Sequence, residues 1–289
     1  MNKKVIYSAL VGNYDNIHQP IAINPDFDYI IFSNDISEDK IGVWQIRKIP
    51  YDNEDKTKIA RWVKTHPEQL LSEYEISVWT DGNVQITGTS FYDRIKELQE
   101  KNILISSMWH NTRDCIYTEA AAATRYMLDD EKTVIKWIKK IVKEGYPIHN
   151  GLFETNTIYR LHNNNSIKEL DLLWWQCIEH YSRRDQLSFN YVLWRLKIEC
   201  PYFLSDSQNT RNSDCVKKLN HDNAKNRLIQ RNIKKNAFIS YYPYRNLEKI
   251  SYIYRKIARM PFSYQILICL GQYYRIKSKI TSMILRFHF

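Results

Sequence analysis

The feature that most constrains this chain is an alternation sustained over about 200 residues, in which short apolar runs closed by polar turns trade places with stretches of helical apolar spacing. Lys4 to Leu10 (KVIYSAL) and Phe27 to Phe32 (FDYIIF) are β-branched and apolar, and the turns GNYDN and SNDISED follow them. That is how buried strands of an α/β sheet read. Between Asp55 and Tyr74 the residues Ile59, Trp62, Val63, His66, Leu70 and Leu71 recur at three and four, which predicts one amphipathic helix carrying Arg61 and Lys64. Glu75 to Trp79 predicts a strand ended by Thr80, Asp81, Gly82 and Asn83, and Ile103 to Met108 a further one. Helices are expected at Phe91 to Lys101, at Asp129 to Glu144 before Gly145 and Pro147, around Leu170 to His180, and at Asp185 to Leu196. The fold class that follows is α/β, a mainly parallel sheet flanked by helices, with ligands bound beyond the strand C-termini. Neither GxGxxG nor GxxxxGK occurs, so no glycine-rich phosphate loop is signalled.

Composition narrows the class further. In 289 residues there are only 7 Gly and 8 Pro against 21 Tyr and 8 Trp, which excludes linker-like and low-complexity readings. Five widely spaced cysteines contain no CxxC, so they signal neither a disulfide framework nor a structural zinc site. The N-terminal apolar run is too short for a signal-peptide core and reads as the first strand, hence a cytoplasmic expectation. The net charge of +10 is unevenly placed. Residues 217–289 hold 16 Lys/Arg and two acidic residues, net +14, whereas residues 1–216 are net −4. The expected organisation is therefore a mildly acidic domain over 1–216 and a basic, aromatic-rich helical extension over 217–289.

The turns after the strands hold the candidate chemistry. Asp81 and Asn83 flank Gly82, where an oxygen pair can hold a divalent cation bridging a diphosphate, although Asp-Gly-Asn is also an ordinary turn sequence. Arg61 and Lys64 lie three apart on one helix face and can reach one anion, or simply be solvated. MWHNTRDCIYTEA gathers His110, Arg113, Asp114, Tyr117 and Glu119, either a reactive cluster or a structural ion-pair network. HNGLFETNTIYR enters an alternating strand through Asn150 and Gly151, with Glu154 close behind. In YSRRDQLSFNYVLW, Arg184 precedes Asp185 and Gln186 at a helix start, and a capping role is the plain reading of Asp185.

Taken in order, ALVGNYD, YIIFSND, ARWVKTHP, VWTDGN, WHNTRDCIYTEA, GLFETN and RRDQLSFNYVLW resemble the segments of a glycosyltransferase-like domain of bacterial polysaccharide-synthesis proteins and plant Golgi pectin and mucilage proteins. The resemblance covers about residues 3 to 200 and implies a GT-A, Rossmann-like fold distantly similar to glycogenin-like enzymes. It further implies that Gly12, Asn13, Tyr14, Asn34 and Asp35 approach the nucleotide, and that Arg61 and Lys64 sit near the diphosphate. Asp81 and Asn83 take the place of a metal-binding DxD, with His221 a candidate third ligand for Mn2+ or Mg2+. Asn150 and Gly151 match an asparagine-glycine turn lining the sugar site, and Asp185 with Gln186 matches the pair at the reacting sugar. His110, Arg113, Glu154 and Arg184 are candidates on the sugar or acceptor side. If such an enzyme inverts, Asp185, Asp114 or Glu119 is the candidate base; if it retains, Asp185 or Gln186 supports the sugar.

The expectation is therefore a transferase moving a sugar from a nucleotide-sugar donor to a saccharide acceptor, lipid-linked and of capsule or O-antigen type. The alternative is a non-catalytic glycan- or nucleic-acid-binding module. In the extension, Leu247, Ile250, Tyr254 and Ile257 form one stripe among Lys249, Arg255, Lys256 and Arg259, a basic amphipathic pattern. The uncharged run 260–274 is 15 residues, too short to span a bilayer. An anionic membrane surface on the inner face of the cytoplasmic membrane is the expected partner; docking on the body or a second subunit is an alternative, and nucleic acid is the least favoured.

Overall fold

In chain order the computed structural model holds β1 (Lys4–Ala9), β2 (Phe27–Phe32), β3 (Lys40–Ile41), β4 (Trp44–Arg47), α1 (Lys56–Thr65), α2 (Pro67–Leu70), β5 (Ile76–Thr80), β6 (Val84–Ile86), α3 (Ser90–Glu100), β7 (Ile105–Trp109), α4 (Ile116–Arg125), α5 (Glu131–Lys143), β8 (Phe153–Arg160), α6 (Asn165–His180), α7 (Gln186–Leu196) and β9 (Val216–Lys218). It describes residues 3–13, 15–125 and 128–221. Tyr14 and nearly all of the basic extension, residues 222–289, thus lie outside the described residues. Among the described residues two units are distinguished: those up to 112 together with 152–221, and Arg113–Gly151. Among the described residues no helix is long and apolar enough to cross a membrane.

In the first unit seven strands form one sheet in the order β3-β4-β2-β1-β5-β8-β7, and β6 pairs with β9 in a separate ribbon. The ladders β4/β2, β2/β1 and β1/β5 are parallel, while β8 runs antiparallel to both β5 and β7. Five of the seven strands therefore point one way, the mostly parallel, helix-flanked sheet that the alternation predicts. Facing residues Ile6, Val78 and Tyr159 lie in register on one side and pack with Phe91, Ile95 and Leu98 of α3. The alternate residues Tyr7 and Trp79 face the opposite side, where Lys64 of α1 and Trp174 of α6 meet the Trp79 ring and Lys64 respectively. Each large apolar side chain so buried contributes roughly 1.5–3 kcal/mol.

The single helix expected over Asp55 to Tyr74 is two. Pro67 lacks the amide that would continue the ladder and disfavours α geometry at the residue before it, so α1 ends at Thr65 and α2 restarts at Pro67. Asp55 caps α1 by accepting from the Thr57 amide at 2.9 Å. The helix is then anchored by a stack, Tyr51 on Trp62 at 5.1 Å and Trp62 on His66 at 4.5 Å between centroids. β8 reads as an alternating strand but is buried along its whole length, because it is interior to the sheet and α7 packs on it. β7 shifts register between Ser107 and Met108, just where it meets Glu154.

In the second unit α4 and α5 pack together. Asp130 caps α5, accepting from the Thr133 amide at 3.0 Å, and the stripe Val134, Trp137, Ile138 and Ile141 is buried as its spacing predicts. The polar cluster that follows β7 runs into helix from Ile116.

His162, just after β8, is buried with Nε2 donating to the Leu71 carbonyl at 2.9 Å. Burial pushes its pKa down to about 4. Its folded pKa is below the unfolded value of about 6.5, so the unfolded chain takes up the proton first and stability falls as pH drops through the interval between them. Thermal unfolding at pH 7 and pH 5 is expected to show a loss of about 2 kcal/mol from this group, absent in His162→Gln.

Candidate functional site

The site is built around one ammonium group. Lys64 Nζ, fully buried, lies 2.6 Å from Asp185 Oδ2 and 3.4 Å from Asp81 Oδ1. Arg61, one turn earlier on α1, reaches the same two carboxylates at 3.1 Å and 4.0 Å. The rings of Trp79 and Trp174 face Lys64 Nζ at 5.3 and 5.8 Å. Thr155 Oγ1 donates to Asp185 at 2.8 Å and Trp79 Nε1 to Asp81 at 2.8 Å, so both carboxylates also have neutral donors. Two cations and two anions thus close on each other at the sheet edge where β5 ends and β8 begins.

Behind them a second buried network fixes the backbone of α1. Arg160 of β8 ion-pairs with Asp171 of α6 at 2.5 Å and donates to the Lys64 carbonyl at 2.7 Å and to the Tyr7 hydroxyl. Tyr7 itself donates to the Lys64 carbonyl at 3.1 Å. Lys64 is therefore held at its carbonyl as well as at its side-chain tip.

Burial opposes ionisation of Asp185, but Arg61 and Lys64 outweigh it and hold the carboxyl far below the usual carboxylate range. Asp81 is likewise lowered, burial being overcome by Lys64, Arg61 and, more weakly, Lys218. Burial lowers the pKa of Lys64. Asp185 precedes α7 yet makes no side-chain cap; its carboxylate turns to Lys64 instead. The capping role that the sequence suggests is not the one it has. A carboxylate held this strongly ionised is a poor proton acceptor near neutral pH.

Beside the quartet, the Asp81–Val84 turn is closed by the Val84 amide on the Asp81 carbonyl at 2.8 Å. Asn83 is buried, donating Nδ2 to the Leu219 carbonyl at 2.9 Å and lying 3.5 Å from His221 Nε2. Asp15 holds His221 Nδ1 at 2.9 and 3.0 Å through its two oxygens. At the ends of β1 and β2 the Gly12 amide donates to Asp35 at 2.6 Å, and Gly12 and Asn13 take positive φ in succession. Asn34 spends its amide on the Ile49 backbone, donating at 3.1 Å and accepting at 2.8 Å, in the manner of a strand partner.

Residues 1–221 match the model of the TOD1/MUCI70 glycosyltransferase-like domain. The chain belongs to this family. No curated protein matches it. Among solved structures it is similar to core-mannan synthase A (CmsA/Ktr4) from Aspergillus fumigatus in its Mn/GDP form, at 9% identity and a TM-score of 0.39 over 67% of this chain and 70% of that one. It is also similar to the apo form of the bifunctional glycosyltransferase WbbM, at 9% identity and a TM-score of 0.40 over 92% of this chain and 51% of that one. The chain spans about half the length of WbbM.

The matched residues run to His221, the residue that Asp15 holds. Among them the first unit brings together Arg61, Lys64, Asp81 and Asp185 as one cluster, Asn83 with His221 as a second contact, and Gly12 with Asp35 as a third. Gln186 donates to the Phe153 carbonyl at 3.1 Å and accepts from Arg184 at 3.2 Å, so it ties α7 to the start of β8. Glu154 is buried, ion-paired with Arg211 and accepting from Asn156 at 2.9 Å. His110 is buried, and its Nδ1 accepts from the Thr112 amide at 3.3 Å. In the second unit Arg113 pairs with Glu119 at 2.6 Å, Asp114 with His149 at 2.8 Å, and Asn150 donates to the Tyr146 hydroxyl at 3.4 Å, next to Gly151 at φ +74°. Asp114 and Glu119 thus each take a different partner. Sequence reading missed Asp15, Thr155, Arg160, Arg211 and Lys218; of these, Asp15 was visible in the GNYDN turn and Thr155 in GLFETN.

Among the described residues no three His, Cys, Asp or Glu side chains converge as a metal-ligand cluster. The donor set at the turn is instead one carboxylate, one carboxamide and one imidazole. The Asp81 contacts to Trp79, Lys64 and Arg61 all fall on Oδ1, none uses Oδ2, and the side chain keeps 26% of its surface. Oxygen donors with one imidazole suit Mn2+ or Mg2+, so Asp81, Asn83 and His221 fit such an ion. Removing Lys64 would leave Arg61 as the one cation beside two carboxylates, and Lys64→Met is expected to cost about 3–5 kcal/mol in urea unfolding. Lys64→Met combined with Asp185→Leu is expected to recover a large part of that loss, since the buried charge leaves with its partner.

Proposed function

We propose that the chain is a nucleotide-sugar-dependent glycosyltransferase of GT-A type, acting on a saccharide acceptor. The observation that carries this reading is the closed quartet of Arg61, Lys64, Asp81 and Asp185 at the C-terminal edge of the sheet, in a glycosyltransferase-like domain. Gly12, Asn13 and Asp35, with Tyr14 and Asn34 nearby in sequence, take the base and ribose. Arg61 lies beside the diphosphate, and Asp81, Asn83 and His221 would hold a divalent cation there. When bound, that ion neutralises charge on the departing diphosphate. Lys64 and Arg61 keep Asp185 ionised, and an ionised carboxylate at the reacting sugar stabilises positive charge developing at its anomeric carbon. Asp185 therefore acts electrostatically rather than as the acceptor's base.

The acceptor assigned here is a lipid-linked surface glycan of capsule or O-antigen type, with Glu154 and Arg184 on the sugar side. What supports the membrane setting is the charge of residues 217–289, where each basic residue near an anionic surface contributes about 1 kcal/mol. Co-sedimentation with anionic vesicles is expected for the full chain and not for a truncation after Lys225.

The donor site is tested by thermal unfolding with a panel of nucleoside diphosphates and their sugars, each with Mn2+, Mg2+ or EDTA. One base is expected to stabilise the protein, by about 2.7 kcal/mol at a hundredfold excess over Kd. Asp185→Asn is expected to keep that shift and to lower turnover by about 10²–10³-fold. Absence of any nucleotide-dependent shift would overturn the reading.

A further inference from the structure

We infer that Asp15 is a positioning residue that orients His221 toward the cation assigned to Asp81, Asn83 and His221, and so sets the affinity for that ion. The inference rests on the donor-site reading above and goes beyond it in naming a residue outside the ligand set.

The geometry is specific. Asp15 lies just after the β1 turn and His221 is 206 positions later, yet both carboxylate oxygens sit on His221 Nδ1, at 2.9 and 3.0 Å. The Asp15 side chain is 6% exposed, so its charge is largely removed from water, and His221 is the partner that faces it. A carboxylate on Nδ1 keeps the proton on that nitrogen and leaves Nε2 as the lone-pair nitrogen of the ring. Nε2 is the atom turned toward the Asp81–Asn83 turn, 3.5 Å from Asn83 Nδ2. The turn also passes close to Asp15 itself: a Cβ placed on Gly82 would lie 3.7 Å from Asp15 Oδ2 and 2.4 Å from Leu10 Cδ2. The turn thus lies against the Asp15–His221 pair. A carboxylate that fixes the tautomer and angle of an imidazole is the arrangement by which outer groups raise a histidine's strength as a metal ligand.

A purely structural alternative has Asp15 only fastening the segment after β9 to the loop after β1. The two roles separate in a direct binding measurement. Mn2+ is titrated into the full-length protein in the presence of the nucleoside diphosphate that stabilises it, and free Mn2+ is read by electron paramagnetic resonance. The variants are Asp15→Asn, Asp15→Ala and His221→Ala. Metal-free melting temperatures are recorded in parallel. Asp15→Ala is expected to weaken Mn2+ binding by about 10–100-fold, approaching His221→Ala. Asp15→Asn keeps a hydrogen-bond acceptor without the charge, stays close in shape, and is expected to fall between wild type and Asp15→Ala. If both Asp15 variants melt earlier but bind Mn2+ as wild type does while His221→Ala does not, Asp15 is a fastener and the inference is overturned. If wild type binds the nucleotide equally in EDTA and takes up no Mn2+, the ion assignment falls and Asp15 has nothing to position. If wild type binds no nucleotide at all, the donor-site reading itself fails.

Discussion

A buried lysine between two aspartates is the constraint on which the site depends. An ammonium group with no exposed surface is tolerated only where anions and ring faces replace its water. Lys64 finds them on three other elements: Asp81 and Trp79 at the end of β5, Asp185 ahead of α7, and Trp174 on α6, while Arg61 on its own helix is a second cation that balances the two carboxylates. A displacement of any of these would leave a charge uncompensated in a dry place. The same requirement that stabilises the arrangement therefore fixes the relative positions of α1, β5, α6 and α7.

The sheet supplies the platform for that requirement. β1, β2 and β5 run parallel and end together, so the loops after them share one edge, while antiparallel β8 begins at that edge and places Thr155 against Asp185. Arg160, at the far end of β8, ties to the Lys64 backbone and to Tyr7 of β1. One strand thus serves the quartet from both ends. The resulting electrostatics are a pair of cations beside a partly exposed Asp81 and a carboxylate kept ionised by them. This suits stabilisation of separating charge better than proton transfer.

Much of this was legible in the residues, unevenly. Apolar runs and helical spacing located β1, β2, β5, β7, α3, α5, α6 and α7, because burial of one face or both leaves a period in the chain. Arg61, Lys64, Asp81 and Asp185 stood out individually, but each had a plain local explanation, and for Asp185 it was the cap that the structure does not contain. The helix over Asp55 to Tyr74 kept its apolar period across Pro67, so the period concealed the break. Asn34, which the resemblance places near the nucleotide, bonds the Ile49 backbone through its side chain in the manner of a strand partner, a contact that spacing does not record. Asp15 carried no signal of its partner, since His221 lies 206 positions away.

What the sequence determined by itself was therefore local: which segments extend, which coil, where turns interrupt them, and that a basic stretch follows a mildly acidic domain. Those properties depend on neighbours a few positions apart, and side-chain spacing records them. Only the tertiary structure decided which charges meet. Pairing of Lys64 with Asp185, of Arg160 with Asp171 and of Asp15 with His221 is set by strand order and by the antiparallel insertion of β8. Removal from water then turns those juxtapositions into strong, specific interactions. Between residues far apart in the chain, composition and spacing hold no record of that dry contact.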